Sequence, residues 1–398
     1  MISAPEVAES PKSWMGSEMS AAPERWTRVW TEEQIDDLTR VVEGVGDDEL
    51  TNLNPAPLST PSLRALVDAI RDDLIHQHGF VLLKGFPFQE LDRRTTAAIF
   101  LMLGRLIGTL RSQNSAGHLL GHVKDVGSDL ADPGTRIYQT NERQSFHTDS
   151  TDVVGLLCIR PALSGGQSLI ASAETAYRIV HQRHPDLALK LFDPIATDRR
   201  NEQPEFEKPW FEIPVLSWFD DRLTVLYQRT YIESARRFSD APSPGMSQIK
   251  ALDVFDQVLN EPDVHLAMDL EPGDIQFVYN HSVLHDRMKF MDHSDPELRR
   301  HLLRLWLSLP GDRQLPPAFA QRYGSLVVGD RGGITAEGVR HCVPLDVQVG
   351  AYACSSGPSE LRMSNQSGPT RPARFRGSRR SATTGGRRSA TLLRRRPR

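Results

Sequence analysis

Apolar residues recur at helical spacing in three stretches near the start of the chain: residues 31–45 (TEEQIDDLTRVVEGV), 60–79 (TPSLRALVDAIRDDLIHQHG) and 92–108 (DRRTTAAIFLMLGRLIG). Each predicts an amphipathic helix. Thr31 and Gln34 have the spacing of a capping box, and Pro61 and Gly79 stand where a helix starts and stops. Phe80 to Phe86 (FVLLKGF) is a short continuous apolar run, the pattern of a buried strand. From Arg111 to Phe146 the periodicity fades and Gly, Ser, Asp and Gln accumulate, which predicts a long loop serving as a lid or binding segment. Strand-like runs follow at 151–160, 167–172, 222–228, 274–280 and 301–309, with helices predicted at 173–182, 185–192 and 247–260. Helices come first and strands later, without the alternation of a doubly wound sheet. The pattern predicts an α+β fold, a β-sandwich or jelly roll decorated with helices.

Composition adds organisation. The 398 residues carry a formal charge of −4, but residues 371–398 hold eleven arginines and no acid, which leaves −15 on the rest. A Ser/Gly/Arg-rich segment cannot bury enough apolar area to offset its ordering entropy, so 347–398 is expected to be a disordered tail. Residues 1–30 are expected to be a loose leader, and 31–346 the folded domain. An acidic body disfavours nucleic acid as the main partner. The longest apolar run, AAIFLMLG from Ala97, is far short of a membrane span, and three cysteines without C-x-x-C spacing suggest no disulfide framework. A cytoplasmic protein acting on a small molecule is expected, with a homo-oligomer left open.

The candidate chemistry begins with three H-x-D matches, His147/Asp149, His184/Asp186 and His293/Asp295. Asp186 and Asp295 have the grammar of helix caps and turns. His147 and Asp149 instead stand at the mouth of a strand, where residues two apart share a face. They are candidates for two ligands of the facial triad of non-haem Fe(II) oxygenases. His285, at a strand edge far along the chain, is the candidate third. In the run from Asp295 to Pro310, Arg300, Leu302, Arg304, Trp306 and Ser308 alternate with leucines, so both faces are expected to be buried. Arginine in such a strand is costly unless it meets an anion.

These segments together, FHTDSTD, RPALSGGQSLIASAETAY, NHSVLHDRMKF and DPELRRHLLRLWL, resemble the motif series of the taurine dioxygenase family, TauD/TfdA, which includes clavaminate synthase-like enzymes. The resemblance runs from about Thr60 to Leu345 and implies a double-stranded β-helix (jelly roll) core decorated with helices. It implies an Fe(II)/2-oxoglutarate-dependent dioxygenase with O2 as second cosubstrate, releasing succinate and CO2 as it hydroxylates an unactivated carbon. Desaturation or cyclisation can replace hydroxylation. By the same resemblance His147, Asp149 and His285 match the iron ligands, and Ser168 and Arg300 match the residues that hold 2-oxoglutarate, with Arg299 the alternative one residue away. Arg304 matches a position that meets the substrate's anionic group, here expected to be a carboxylate. A lid aspartate, Asp125 or Asp129, is the competing partner for Arg304. A zinc hydrolase or a non-catalytic binding protein on the same scaffold are the rival classes.

Overall fold

The computed structural model describes residues 5–55, 60–128, 135–203, 206–334 and 338–347. The chain divides into two units, 1–354 and 355–398; the second, and the expected disordered tail from residue 348 on, lie outside the described residues. Nine α-helices are described: α1 (Gly16–Ala21), α2 (Glu32–Val42), α3 (Pro61–Ile75), α4 (Arg93–Ile107), α5 (Ala173–Arg183), α6 (Pro185–Lys190), α7 (Arg229–Ser234), α8 (Met246–Leu259) and α9 (Ala320–Tyr323). Eleven strands build two large sheets: β1 (Thr27–Val29), β2 (Phe80–Lys84), β3 (Thr109–Arg111), β4 (Gly121–Val123), β5 (Gln144–His147), β6 (Val153–Arg160), β7 (Ser168–Ser172), β8 (His265–Met268), β9 (Ile275–Tyr279), β10 (Val283–Arg287) and β11 (His301–Ser308).

The larger sheet has the order β1-β2-β9-β6-β11-β3, with β4 also paired to β11; the smaller is β8-β7-β10-β5. Alternation along the strands sorts their side chains into layers. Val81, Leu83, Phe277, Leu303 and Leu305 pack against Leu38, Ile70 and Phe100 of α2, α3 and α4. Phe80, Leu82, Val154 and Trp306, on the opposite face, share a core with Ile170, Leu266 and Val283 of the smaller sheet. Leu169, Ala171 and Leu284 meet Tyr177 of α5 and Phe255 of α8 behind that sheet. Two sheets face one another between two helical layers, which is the expected α+β architecture. The helix starts are also as read: Thr31 and Gln34 complete a capping box on α2, and Thr60 caps α3 ahead of Pro61.

The N-terminal segment departs from the expected loose leader. Trp14, Met19 and Trp26 are buried in the core between the sheets. The Trp14 indole donates to His78 O at 2.8 Å, and Lys12 Nζ donates to Leu74 O and Gln77 O at 3.1 and 3.0 Å. At Gly16 a Cβ would lie 2.0 Å from His265 O, so only glycine lets α1 dock this closely on the edge strand β8. Tryptophans in a segment without periodicity were the signal that it packs. The expected lid is likewise only partly loop, since β3, β4, a 3-10 turn at Ile137–Gln139 and β5 fall in it. Among the described residues no helix is long and apolar enough to cross a membrane.

Candidate metal centre and its two cavities

His147 ends β5 and lies directly opposite His285 across the antiparallel β5–β10 pair, their rings 4.1 Å apart. Asp149 follows after a turn fixed by two bonds with Tyr227: Thr148 N–H donates to Tyr227 O at 2.8 Å, and Tyr227 N–H to Thr148 Oγ1 at 3.0 Å. The Asp149 N–H donates to Asn280 Oδ1 at 3.0 Å. The result is a cluster in which one donor atom from each of His147, Asp149 and His285 lies within 4.8 Å of the others, all three buried. The other H-x-D pairs stay apart. His184 and Asp186 are exposed, and Asp295 accepts from Glu297 N–H at 2.9 Å, a cap as its sequence reads.

Hydrogen bonds identify which atoms are free. His147 Nδ1–H donates to Ser145 O at 2.9 Å, which leaves the lone pair on Nε2; the Gln144 amide donates to that nitrogen at 2.8 Å. Asp149 Oδ2 accepts from the Trp306 indole at 2.8 Å and lies 3.6 Å from Arg304 Nη1 and 4.0 Å from His285 Nε2. Burial pushes His147 down and, with His147 beside it, His285 to about 3, so both imidazoles are neutral, the form a metal ligand needs. Burial works to raise the Asp149 carboxyl, but Arg304, His285 and His147 outweigh it and hold the carboxyl below its ordinary value.

Two cavities adjoin the cluster. One is lined by His147, His285, Ser168, Arg287, Arg300 and Leu302. Ser168 Oγ donates across to Gln276 Oε1 at 2.9 Å, and Arg287 is the register partner of Ser168 on the neighbouring strand. Arg300 lines this cavity together with Leu302 and Arg304, the face its alternation predicted. It precedes the strand, set apart by a register shift between His301 and Leu302, and turns its buried guanidinium into this cavity. Arg299 is half-buried, with Nε directed to His293 O at 3.4 Å. Arg300 Nη1 and Arg287 Nε and Nη1 are buried without a partner among the described residues, which fits a cavity that receives a carboxylate. Arg287 was missed in the sequence, although it stands two residues after His285 on one strand and so on one face.

The second cavity is lined by Asp149, Arg136, Tyr231, Arg304, Trp306 and Arg322, among others. Arg304 Nε donates to Gln113 Oε1 at 2.7 Å, and its guanidinium lies over the Tyr138 ring at 4.8 Å. Asp125, the expected competitor, instead accepts from Gly127 N–H, and Asp129 lies outside the described residues. Arg136 is paired with Glu202 at 2.8 Å. Arg322 donates from Nε to Ser150 Oγ at 2.8 Å and has no carboxylate within salt-bridge distance among the described residues.

Two imidazoles and one carboxylate, with the remaining positions facing cavities, are the donor set of the non-haem Fe(II) oxygenases, the class this fold and site define. The chain belongs to the taurine catabolism dioxygenase TauD, TfdA family, whose model matches residues 46–306. It is an Fe(II)/2-oxoglutarate-dependent dioxygenase with O2 as its second cosubstrate. Among its relatives are FR-33289 synthase of Streptomyces rubellomurinus, 29% identical over 78% of this chain and 93% of the relative, and a uridine-5'-phosphate dioxygenase of Amycolatopsis, 27% identical over 58% and 85%. The fold is similar to that of asparagine oxygenase solved with Fe(II), 3-hydroxyasparagine and succinate, with a TM-score of 0.55 at 16% identity over 71% of this chain and 93% of that one. The non-haem iron oxygenase OrfP, solved with Fe and α-ketoglutaric acid, gives 0.52 at 14% identity over 71% and 93%.

Proposed function

We propose that His147, Asp149 and His285 hold the iron, that Ser168 and Arg300 receive 2-oxoglutarate, and that the chain hydroxylates a small anionic molecule held in the second cavity by Arg304. The observation that carries this is the convergence of the three ligands between two cavities that each contain arginine. Facing sheets with a common core, and the likeness to asparagine oxygenase, support a jelly-roll reading of the fold.

Bound together, iron, 2-oxoglutarate and O2 supply an oxidant able to hydroxylate an unactivated carbon, with release of succinate and CO2. The protein's own part is positioning. Ser145 fixes the His147 tautomer, while Trp306 and Arg304 fix the Asp149 carboxylate, so that the donors are oriented before a substrate enters. Charge in the second cavity supports an anion. Of Arg136, Arg304 and Arg322, the first is paired with Glu202, whereas Arg304 would share Asp149 with the metal and Arg322 donates to a hydroxyl with no carboxylate within salt-bridge distance among the described residues. An arginine fork suits a carboxylate or a phosphate. One relative is named for uridine-5'-phosphate and the asparagine oxygenase was solved with an amino acid; both ligands are anion-bearing.

The test is succinate release above the uncoupled background across a panel of small carboxylates, phosphate monoesters and neutral analogues, with products identified by mass spectrometry. An anionic member should stimulate turnover and gain one oxygen. Stimulation confined to neutral compounds would remove the anionic-substrate reading.

A further inference from the structure

Three arginines, Arg287, Arg300 and Arg304, line the cavity beside His147 and His285, and the proposed function gives Arg300 to the cosubstrate and Arg304 to the substrate, which leaves Arg287 without a role. Arg287 and Arg300 are 7% and 5% exposed, and neither has a carboxylate within salt-bridge distance among the described residues. Arg287 Nη2 donates to Glu142 O, which leaves Nε and Nη1 without partners, and Arg300 Nη1 is also unpartnered. Their guanidinium carbons lie 4.8 and 5.3 Å from the centre of one ring, that of Phe290, so two like charges are held side by side in a place closed to bulk water. Gly166 makes the packing possible. A Cβ there would lie 3.2 Å from Arg300 Nε and from Phe290 Cβ, and its φ of +78° suits glycine. The position of Arg287 is set by register, opposite Ser168 on β7 and two residues beyond His285 on β10, about 7 Å further along the strand.

Buried cations without counter-charge are costly, and a protein that keeps two of them together is prepared for an anion. We propose that Arg287 is a second positioning residue for 2-oxoglutarate, closing with Arg300 and Ser168 on the carboxylate farthest from the metal. This rests on the dioxygenase reading and goes further. The distal carboxylate is gripped by two forks, so selectivity for a dicarboxylic 2-oxo acid over one lacking that group depends on both. Arg287 also connects the grip to the segment before β5 through Glu142.

The test compares binding of two 2-oxo acids to the Fe(II)-loaded full chain without oxygen, read from the visible band each forms on titration. 2-Oxoglutarate has the distal carboxylate; 2-oxovalerate has a methyl group in its place. Arg287→Gln should raise the dissociation constant for 2-oxoglutarate by about 10- to 100-fold, the loss of a charge-assisted pair, while that for 2-oxovalerate stays within about twofold. Arg287→Lys, which keeps the charge but not the fork, should fall between, and it carries the test if the glutamine variant fails to fold. Unchanged 2-oxoglutarate affinity in both variants overturns the proposal, as does an equal loss for the two acids, which would make Arg287 a brace for Glu142 alone. If the wild-type protein forms no band with 2-oxoglutarate, the dioxygenase reading falls, and the proposal with it.

Discussion

Two clusters of buried His and Asp lie next to each other in this molecule, and only one is suited to a metal. His147, Asp149 and His285 form the first; Asp152, His281 and Asp312, the second, satisfy the same proximity criterion. They draw on the same chain segments, three residues apart on one side and four on the other. In the second cluster a cation is already present. Arg331 reaches Asp152 at 2.7 Å and Asp312 at 2.6 Å, and His281 donates to Asp152 at 2.9 Å. The remaining oxygens are also engaged: Asp152 Oδ2 accepts from Ser308 Oγ and Leu309 N–H at 3.0 and 2.9 Å, and Asp312 Oδ1 from Tyr279 OH at 2.5 Å. In the first cluster the lone pair of His147 Nε2 is met by the Gln144 amide, Arg304 stands 3.6 Å from Asp149 without bridging two carboxylates, and the donors open on two cavities. Residue type and proximity are therefore common to both, and what separates a candidate metal centre from a structural pin is whether an arginine already bridges its carboxylates.

The largest effect that would sharpen this contrast is loss of the metal. His147→Ala, Asp149→Ala and His285→Ala should each abolish iron-dependent succinate formation and leave the circular dichroism spectrum unchanged, whereas His184→Ala and His293→Ala should act like wild type. Equal damage from His184→Ala in a folded protein would mean the wrong pair had been chosen. In the second cluster, Arg331→Met should leave iron stoichiometry intact but destabilise the fold by about 3–5 kcal/mol, because two buried carboxylates lose their cation. Denaturant unfolding measures the cost, and a loss below about 1 kcal/mol would deny the pin its role.

A smaller effect is expected at Arg304, which touches the first cluster without belonging to it. Arg304→Gln should keep slow uncoupled 2-oxoglutarate turnover while substrate-stimulated turnover drops by about 10- to 100-fold. If coupling and substrate affinity are both unchanged, Arg304 is not the substrate's anchor. The smallest effect concerns protons. Burial lowers His281; at Asp152 burial opposes ionisation, but His281 and Arg331 outweigh it and hold that carboxyl below its ordinary value. Both folded values lie below the unfolded ones, so the unfolded chain takes up more protons as pH falls. The stabilisation is present above about pH 6.5 for the histidine and about pH 4 for the carboxyl, and is lost below. His281→Asn should flatten unfolding free energy against pH between 7 and 5 by at most one proton, about 1.4 kcal/mol per pH unit. An unchanged slope would show that His281 contributes nothing to it.

Legibility followed the range of the causes. Helix caps at Thr31 and Thr60 are local, and they were readable from four residues. His147 and Asp149 were readable from their spacing, although Asp149 owes its place to the turn after β5 and not to a strand repeat, and Arg287 was readable from the two-residue repeat of β10 had it been applied beyond His285. Arg300, Leu302 and Arg304 were readable as one face by the same alternation, and all three line the cavity beside His147, although the strand itself starts at His301. Arg331 and Arg322 depend on contacts across a hundred residues or more, and no local pattern announces them; Trp14 and Trp26 lie in a segment without periodicity, where residue type alone signals packing.

The partition between the two cavities has a consequence for the order of events. Tyr138, Gln144 and Arg304 line both, so the wall is made of side chains that an occupant on either side can displace. Gln144 also donates to Nε2 of His147. What fills one chamber thus changes the free energy of filling the other, and thermodynamic reciprocity makes the influence equal in both directions. On the proposed assignment, a substrate that pushed Arg304 toward Asp149 would reshape the wall of the chamber given to 2-oxoglutarate, and a cosubstrate that settled Gln144 and Tyr138 would prepare the room given to the substrate.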